Sequence, residues 1–144
     1  MAVTRDATVV WEGGINAGQG TIVDTTSGAL NNQQITWASR FNEPGGQSSP
    51  EELIAAAHAT CVAMALTKNL TDAGNDPTRV DVSCSISLGN GAITSSALTI
   101  EGVVPGIDEA SFQEIVRQTV EGCPVSGALS ALDISATATL VATV

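Results

Sequence analysis

Residues 49–66, SPEELIAAAHATCVAMAL, limit the fold more than any other segment. Ser49 is a favoured N-cap, Pro50 suits the first helical position, and Glu52 stands where a capping box places its acid. The spacing predicts a helix from Pro50 to about Ala73, stopped by Gly74. From Leu53 to Leu66 the run is apolar on nearly every side, with Ala at positions 55, 56, 57, 59, 63 and 65. A helix apolar all round belongs in an interior. A chain of 144 residues has too little other mass to cover such a helix, so a partner subunit is expected.

Around this helix the pattern alternates between strand and helix. Residues 7–42 read as a β meander, with TVVW, GTIV and QQITWASRF as short β-favouring runs between Gly-, Asn- and Ser-rich turns. Residues 43–49 form a loop. Val80, Val82, Cys84, Ile86 and Leu88 alternate with polar residues, the period of a half-buried strand, and residues 96–104 pair with it through the GNGA turn. Asp108 caps a second amphipathic helix that ends at Gly122, and Cys123-Pro124 opens a short third one, VSGALSAL. The alternation from Ile134 to Val144 predicts a last strand. The expected class is α+β, one domain over residues 1–144, with no internal repeat or linker.

Charge narrows the partners. Only 14% of residues are charged and the formal net charge is −10, which repels nucleic-acid phosphates and anionic lipid. Tyr is absent and aromatics are scarce, so base-stacking platforms are not expected. No run of about 18 consecutive apolar residues occurs, so no membrane span is expected. The first residues lack a basic start followed by an apolar core, so a signal peptide is not expected either, and the protein reads as cytoplasmic. The substrate implied is small and neutral or apolar.

Three cysteines suit a catalytic, sensing or metal role in a reducing compartment better than a disulfide framework. There is no CxxC and only His58 to join the thiols, so zinc is not expected. Cys84 occupies a core-facing slot of a strand and reads as a small hydrophobe. Cys61 lies in an Ala-rich helix, eleven residues past Pro50 and beyond the reach of the helix dipole, so packing alone would explain it. It becomes reactive only with a cation beside it. Of the chain's five cations, Arg40 is the best placed, because it precedes the loop that feeds the helix. Glu51 could grip Arg40 in bidentate fashion. It lies about 15 Å from Cys61 along one helix, so it would reach a Cys61 pocket only across two packed copies. The plainer reading of Glu51 is an acid favouring the helix dipole. Cys123 sits where free amides favour a thiolate, which makes a pair with Cys61 a second option beside inert packing. His58 is either a base one turn before Cys61 or a core residue with a satisfied nitrogen, and the core reading is favoured.

The strings SRF, SSPEELIAAAHATCVAMAL, VPGID and GCPVSGAL resemble the OsmC/Ohr family of osmotically inducible and organic hydroperoxide resistance proteins, in its OsmC branch. The resemblance runs from TVVWEGG onward. It implies an OsmC-like fold, antiparallel sheets around a long central buried helix in an intertwined homodimer, with active sites at the subunit interface. It implies a thiol peroxidase that prefers organic hydroperoxides to hydrogen peroxide. On that resemblance Cys61 is the peroxidatic cysteine, Cys123 the resolving one, and Arg40 with Glu51 the activating pair. The expected reductant is an external dithiol of lipoyl type, with no flavin, metal or other cofactor in the chain. Leu53, Ile54 and Met64 are candidate walls for an alkyl hydroperoxide. Two other classes stay open at this point: a redox sensor or binding protein on the same fold, and a cysteine hydrolase using His58 as base.

Overall fold

The computed structural model describes residues 2–142 and divides into a unit ending at Leu53 and one starting at Ile54. In the first, β1 (Ala7–Glu12), β2 (Gln19–Thr25) and β3 (Gln34–Ile35) form an antiparallel sheet in the order β1-β2-β3. Trp11 pairs with Gly20, and a Cβ on Gly20 would meet the indole at 2.9 Å, so the missing side chain makes room for the ring. Ile22 on β2 is buried.

The expected strand through QQITWASRF stops at Ile35, and α1 (Trp37–Phe41) takes over. A local capping box overrides the β propensity here. The Thr36 hydroxyl accepts from the Ser39 amide at 3.0 Å, and the Thr36 amide donates to Ser39 Oγ at 2.9 Å. Ser39 also donates to the Ser48 carbonyl at 2.7 Å, tying α1 to the strand-like stretch before the next helix.

Helix α2 (Pro50–Asp72) begins where expected, with the Glu52 amide donating to Ser49 Oγ at 3.1 Å. The Glu52 carboxylate takes the Ser48 hydroxyl at 2.8 Å, not the capping-box bond to the Ser49 amide. At the far end Gly74 adopts φ +85, and the amides of Gly74 and Asn75 donate to the carbonyls of Thr71 and Leu70. Those two bonds make a Schellman stop.

In the second unit, β4 (Arg79–Gly89) and β5 (Ala92–Val103) form an antiparallel hairpin through Asn90-Gly91, both at positive φ. α3 (Glu109–Gly122) is capped by the Asp108 carboxylate, which accepts from the Ser111 amide at 2.8 Å. α4 spans only Pro124–Ala128, shorter than VSGALSAL, because Leu129 leaves helical geometry and the chain turns toward the last strand. β6 (Asp133–Leu140) pairs parallel to β5, a departure from the expected antiparallel sheets, since α3 and α4 carry the chain back to the end where β5 began. The expected final position of this strand, Val144, lies outside the described residues.

The core of the second unit joins Val62, Leu66 and Leu70 of α2 to Leu98 and Ile100 of β5 and to Phe112 and Val116 of α3. Phe112 lies over Gly102, whose Cβ would stand 2.7 Å from the ring. Burial of α2 differs from the expectation of an all-round interior helix. Within this unit His58, Val62, Leu66 and Leu70 form one buried stripe, while Ala56, Ala57, Thr60 and Met64 remain exposed. A single three-stranded sheet with its helices covers one face of a helix, and small alanines do not compensate on the other. By length and hydropathy α2 is long and apolar enough to cross a membrane, and its buried stripe belongs to this core.

Candidate active site

The two thiols that the sequence singled out meet. Cys61 lies half-buried on α2, beside the stripe made by His58 and Val62. Cys123 is the joint between α3 and α4, with φ −64 and ψ 127. Proline disfavours helical geometry in the residue before it, so Pro124 stops α3 at Cys123 and holds that thiol against the core, where it is 1% exposed. The sulfurs stand 2.9 Å apart and both are free. A disulfide bond of about 2.05 Å needs roughly 1 Å of closure, within reach of small side-chain rotations.

The local electrostatics divide the pair. Burial pushes the Cys61 thiol up, and its bond to Cys123 pushes it further. Burial also opposes ionisation of Cys123, but the Cys61 thiol, the Ser126 amide and hydroxyl, and the Val125 amide together hold it below its ordinary value. None of these groups closes a formal cap on α4. The cations of this unit point elsewhere: Lys68, Arg79 and Arg117 grip Asp72, Asp81, Glu114 and Glu121 at the surface.

Arg40 and Glu51 lie in the first unit and find each other. Arg40 Nε donates to both Glu51 oxygens, at 2.9 and 3.3 Å, and Nη2 approaches Oε1 at 2.7 Å. The Glu51 side chain is 11% exposed and that of Arg40 32%. Arg40 lies in the last turn of α1 and Glu51 in the first turn of α2, so the two helix ends set this grip. The guanidinium also lies 5.3 Å from the Phe41 ring centre, and Phe41 packs on Trp37 at 4.6 Å. Of the candidate pocket walls, Leu53 and Ile54 are half-buried. Met64 stands 69% exposed, on the stripe of α2 opposite the core.

His58 is fully buried, and both ring nitrogens are satisfied, one more than expected. Nδ1 lies 2.6 Å from Ser96 Oγ and Nε2 lies 2.8 Å from Ser126 Oγ. Burial lowers its pKa, so the ring is neutral at neutral pH and is no exposed general base. Cys84 packs against the core as expected, and also places its sulfur 3.1 Å from Ser96 Oγ. Ser96 and Ser126 were not anticipated. The signal for Ser96 was present: it falls on the same face of β5 as Leu98 and Ile100, a polar residue in a buried alternation. Among the described residues no group of three or more His, Cys, Asp and Glu is placed to hold a metal ion.

A family described as OsmC-like protein matches residues 43–137. The chain belongs to that family. It is 44% identical over 135 residues to a protein of Escherichia coli (strain K12) named peroxiredoxin OsmC, covering 91% of this chain and 93% of that one. Solved structures agree on the OsmC/Ohr fold. An organic hydroperoxide resistance protein OsmC of Legionella pneumophila superposes with TM-score 0.70 at 22% identity, over 96% of this chain and 99% of that chain. The organic hydroperoxide resistance protein OhrB of Bacillus subtilis gives TM-score 0.62 at 25% identity, over 93% and 98% of the two chains. The α+β class expected from the sequence is the class observed.

Proposed function

We propose that this chain is a thiol peroxidase that reduces organic hydroperoxides to alcohols, with Cys61 as the attacking sulfur and Cys123 as the resolving one. The observation that carries the reading is the 2.9 Å approach of two free thiols in a family whose E. coli relative is named a peroxiredoxin. Exposure supports this order: Cys61 is half-buried, whereas Cys123 is 1% exposed. The Cys61 thiolate attacks the terminal peroxide oxygen, the O–O bond breaks, and the alkoxide takes a proton and leaves as alcohol. Cys61 is then a sulfenic acid. The Cys123 thiolate attacks that sulfur, the S–O bond breaks, and hydroxide leaves with a proton as water. An external dithiol of lipoyl type reduces the disulfide and is itself oxidised to a disulfide.

Cys61 is raised by its surroundings in the second unit, so the mechanism requires a cation from elsewhere. Arg40, gripped by Glu51, is the cation assigned to it, from the same chain or from a second copy. A homodimer is part of this reading, supported by the exposed stripe of α2 through Met64 and by exposed Val9, Val10, Trp37 and Phe41. Residues 1–144 work as one OsmC-like domain in this reading, and the three cysteines suit the reducing cytoplasm.

The deciding experiment compares steady-state consumption of cumene hydroperoxide and hydrogen peroxide with dihydrolipoamide as reductant. The organic peroxide is expected to turn over faster, and Cys61→Ser to abolish both. Sustained turnover by Cys61→Ser would overturn the assignment. Disulfide formation without repeated turnover would make the chain a sensor.

A further inference from the structure

The second unit holds a third thiol, in company that a packing residue does not need. Cys84 on β4 pairs with Leu98 of β5, and Ser96 lies two residues along β5 on the same face. The Cys84 sulfur stands 3.1 Å from Ser96 Oγ and 4.0 Å from His58 Nδ1, and Ser96 Oγ stands 2.6 Å from that nitrogen. On the far side of the ring, Ser126 Oγ of α4 lies 2.8 Å from Nε2. His58 and Ser96 are fully buried and Ser126 nearly so, whereas Cys84 is half-buried. Of these four side chains Cys84 is the most open to solution.

A nucleophile, a base within reach of it and a third group that orients the base are the parts of an activated thiol. An apolar filling would pack the same space without the cost of burying a ring and two hydroxyls. Hydroxyls suit either charge state of the ring, because each can accept a hydrogen bond as well as donate one. With the ring proton on Nε2 and given to Ser126 Oγ, Nδ1 accepts from Ser96, and Ser96 accepts from Cys84. Burial lowers the His58 pKa, so at neutral pH the ring keeps a lone pair to take a proton. When the thiol gives up its proton, Ser96 receives it and passes its own to Nδ1. The imidazolium then donates to a serine oxygen from each nitrogen, and the Ser96 hydroxyl donates to the thiolate. No member of the cluster loses a partner in either state.

We propose that Cys84 is a second oxidisable thiol, a site for hydrogen peroxide or another small hydroperoxide, with His58 as its base through the Ser96 hydroxyl. The Cys84 thiolate attacks one peroxide oxygen, an S–O bond forms and the O–O bond breaks. The departing hydroxide recovers the proton from the imidazolium through Ser96 and leaves as water. The sulfur is oxidised by two electrons to a sulfenic acid, the peroxide is reduced, and the ring is neutral again. A small thiol then converts the sulfenic acid to a mixed disulfide with loss of water. This modification goes beyond the peroxidase reading and does not depend on it.

The test exposes the unaltered chain to excess hydrogen peroxide with dimedone present and follows the labelled Cys84 peptide by mass spectrometry. A half-buried thiol without a base reacts more slowly than the same thiol in the urea-unfolded chain. General-base help of about 100-fold or more outweighs that shielding, so the folded chain is expected to label Cys84 about tenfold faster than the unfolded one. Folded labelling no faster than unfolded overturns the proposal. Ser96→Ala is expected to lower the folded rate about tenfold, and Ser96→Thr, which keeps the hydroxyl, to restore it. Removing a residue that merely packs the core would open the sulfur and raise the rate instead. A Ser96→Ala rate at or above the parent therefore overturns the relay. Should the variants fail to fold, the comparison of folded with unfolded parent decides. Hydroperoxide turnover with dihydrolipoamide is measured separately, so failure of the peroxidase reading leaves the Cys84 label readable.

Discussion

Replacing Glu51 by Gln tests the Arg40 clamp directly. Three contacts between 2.7 and 3.3 Å hold the guanidinium to a carboxylate that is 11% exposed, while Arg40 itself keeps 32% exposure. Removing one partner of a fully buried pair costs about 3–5 kcal/mol, and an exposed pair is worth about 0–1 kcal/mol. This pair lies between those limits, and Gln keeps one acceptor oxygen, so a loss of about 2 kcal/mol is expected. For a chain of this length that lowers the unfolding midpoint by roughly 4–8 °C. The kinetic effect should be larger than stability alone accounts for. If Arg40 ionises Cys61 as proposed, a guanidinium released from its fork loses that role, and misplacement of about 1 Å costs on the order of 100-fold in rate. Thermal unfolding and hydroperoxide turnover, measured on the same preparations at a temperature where both proteins are folded, separate the two effects. Arg40→Lys, which keeps charge but loses the fork, should fall with Glu51→Gln in rate. A destabilised Glu51→Gln that turns over at the parent rate would refute the reasoning and leave Glu51 as an acid that merely favours the start of α2.

Gly102→Ala drives a Cβ to 2.7 Å from the Phe112 ring, so urea unfolding should show a loss of about 1–3 kcal/mol. Gly74→Ala meets no atom within 4 Å but forces φ +85 on an L residue, and a loss of about 1 kcal/mol is expected in the same assay. His58 is held neutral by burial, so its folded pKa lies below 6.5, and the unfolded chain binds the extra proton first as pH falls. Stability should therefore fall as pH drops below about 6.5 and level off once pH passes the folded value, a slope absent in His58→Gln. Glu114 is held at about 2 by Arg117, first through its hydrogen bonds, so its contribution is complete above 4.5 and fades as pH falls toward 2. Glu114→Gln should flatten that acid limb at low salt, and an unchanged limb would show the pair to be idle.

The sequence alone determined what lies within one or two turns of a residue. Ser49 and Asp108 as caps, Gly74 as a stop and Asn90-Gly91 as a hairpin turn are decided by hydrogen bonds between near neighbours, so residue type was enough. The helix at Trp37–Phe41 was equally local, written in Thr36 and Ser39, but β-favouring composition masked it. The motif residues also named Cys61, Cys123, Arg40 and Glu51. Tertiary structure decided the rest. It chose which stripe of α2 is buried, laid β6 parallel to β5, and brought sulfurs 62 positions apart to 2.9 Å. It also gave His58 partners 38 and 68 positions away. No local preference encodes such meetings, because they arise when apolar faces of distant segments close on one core and carry their polar neighbours with them.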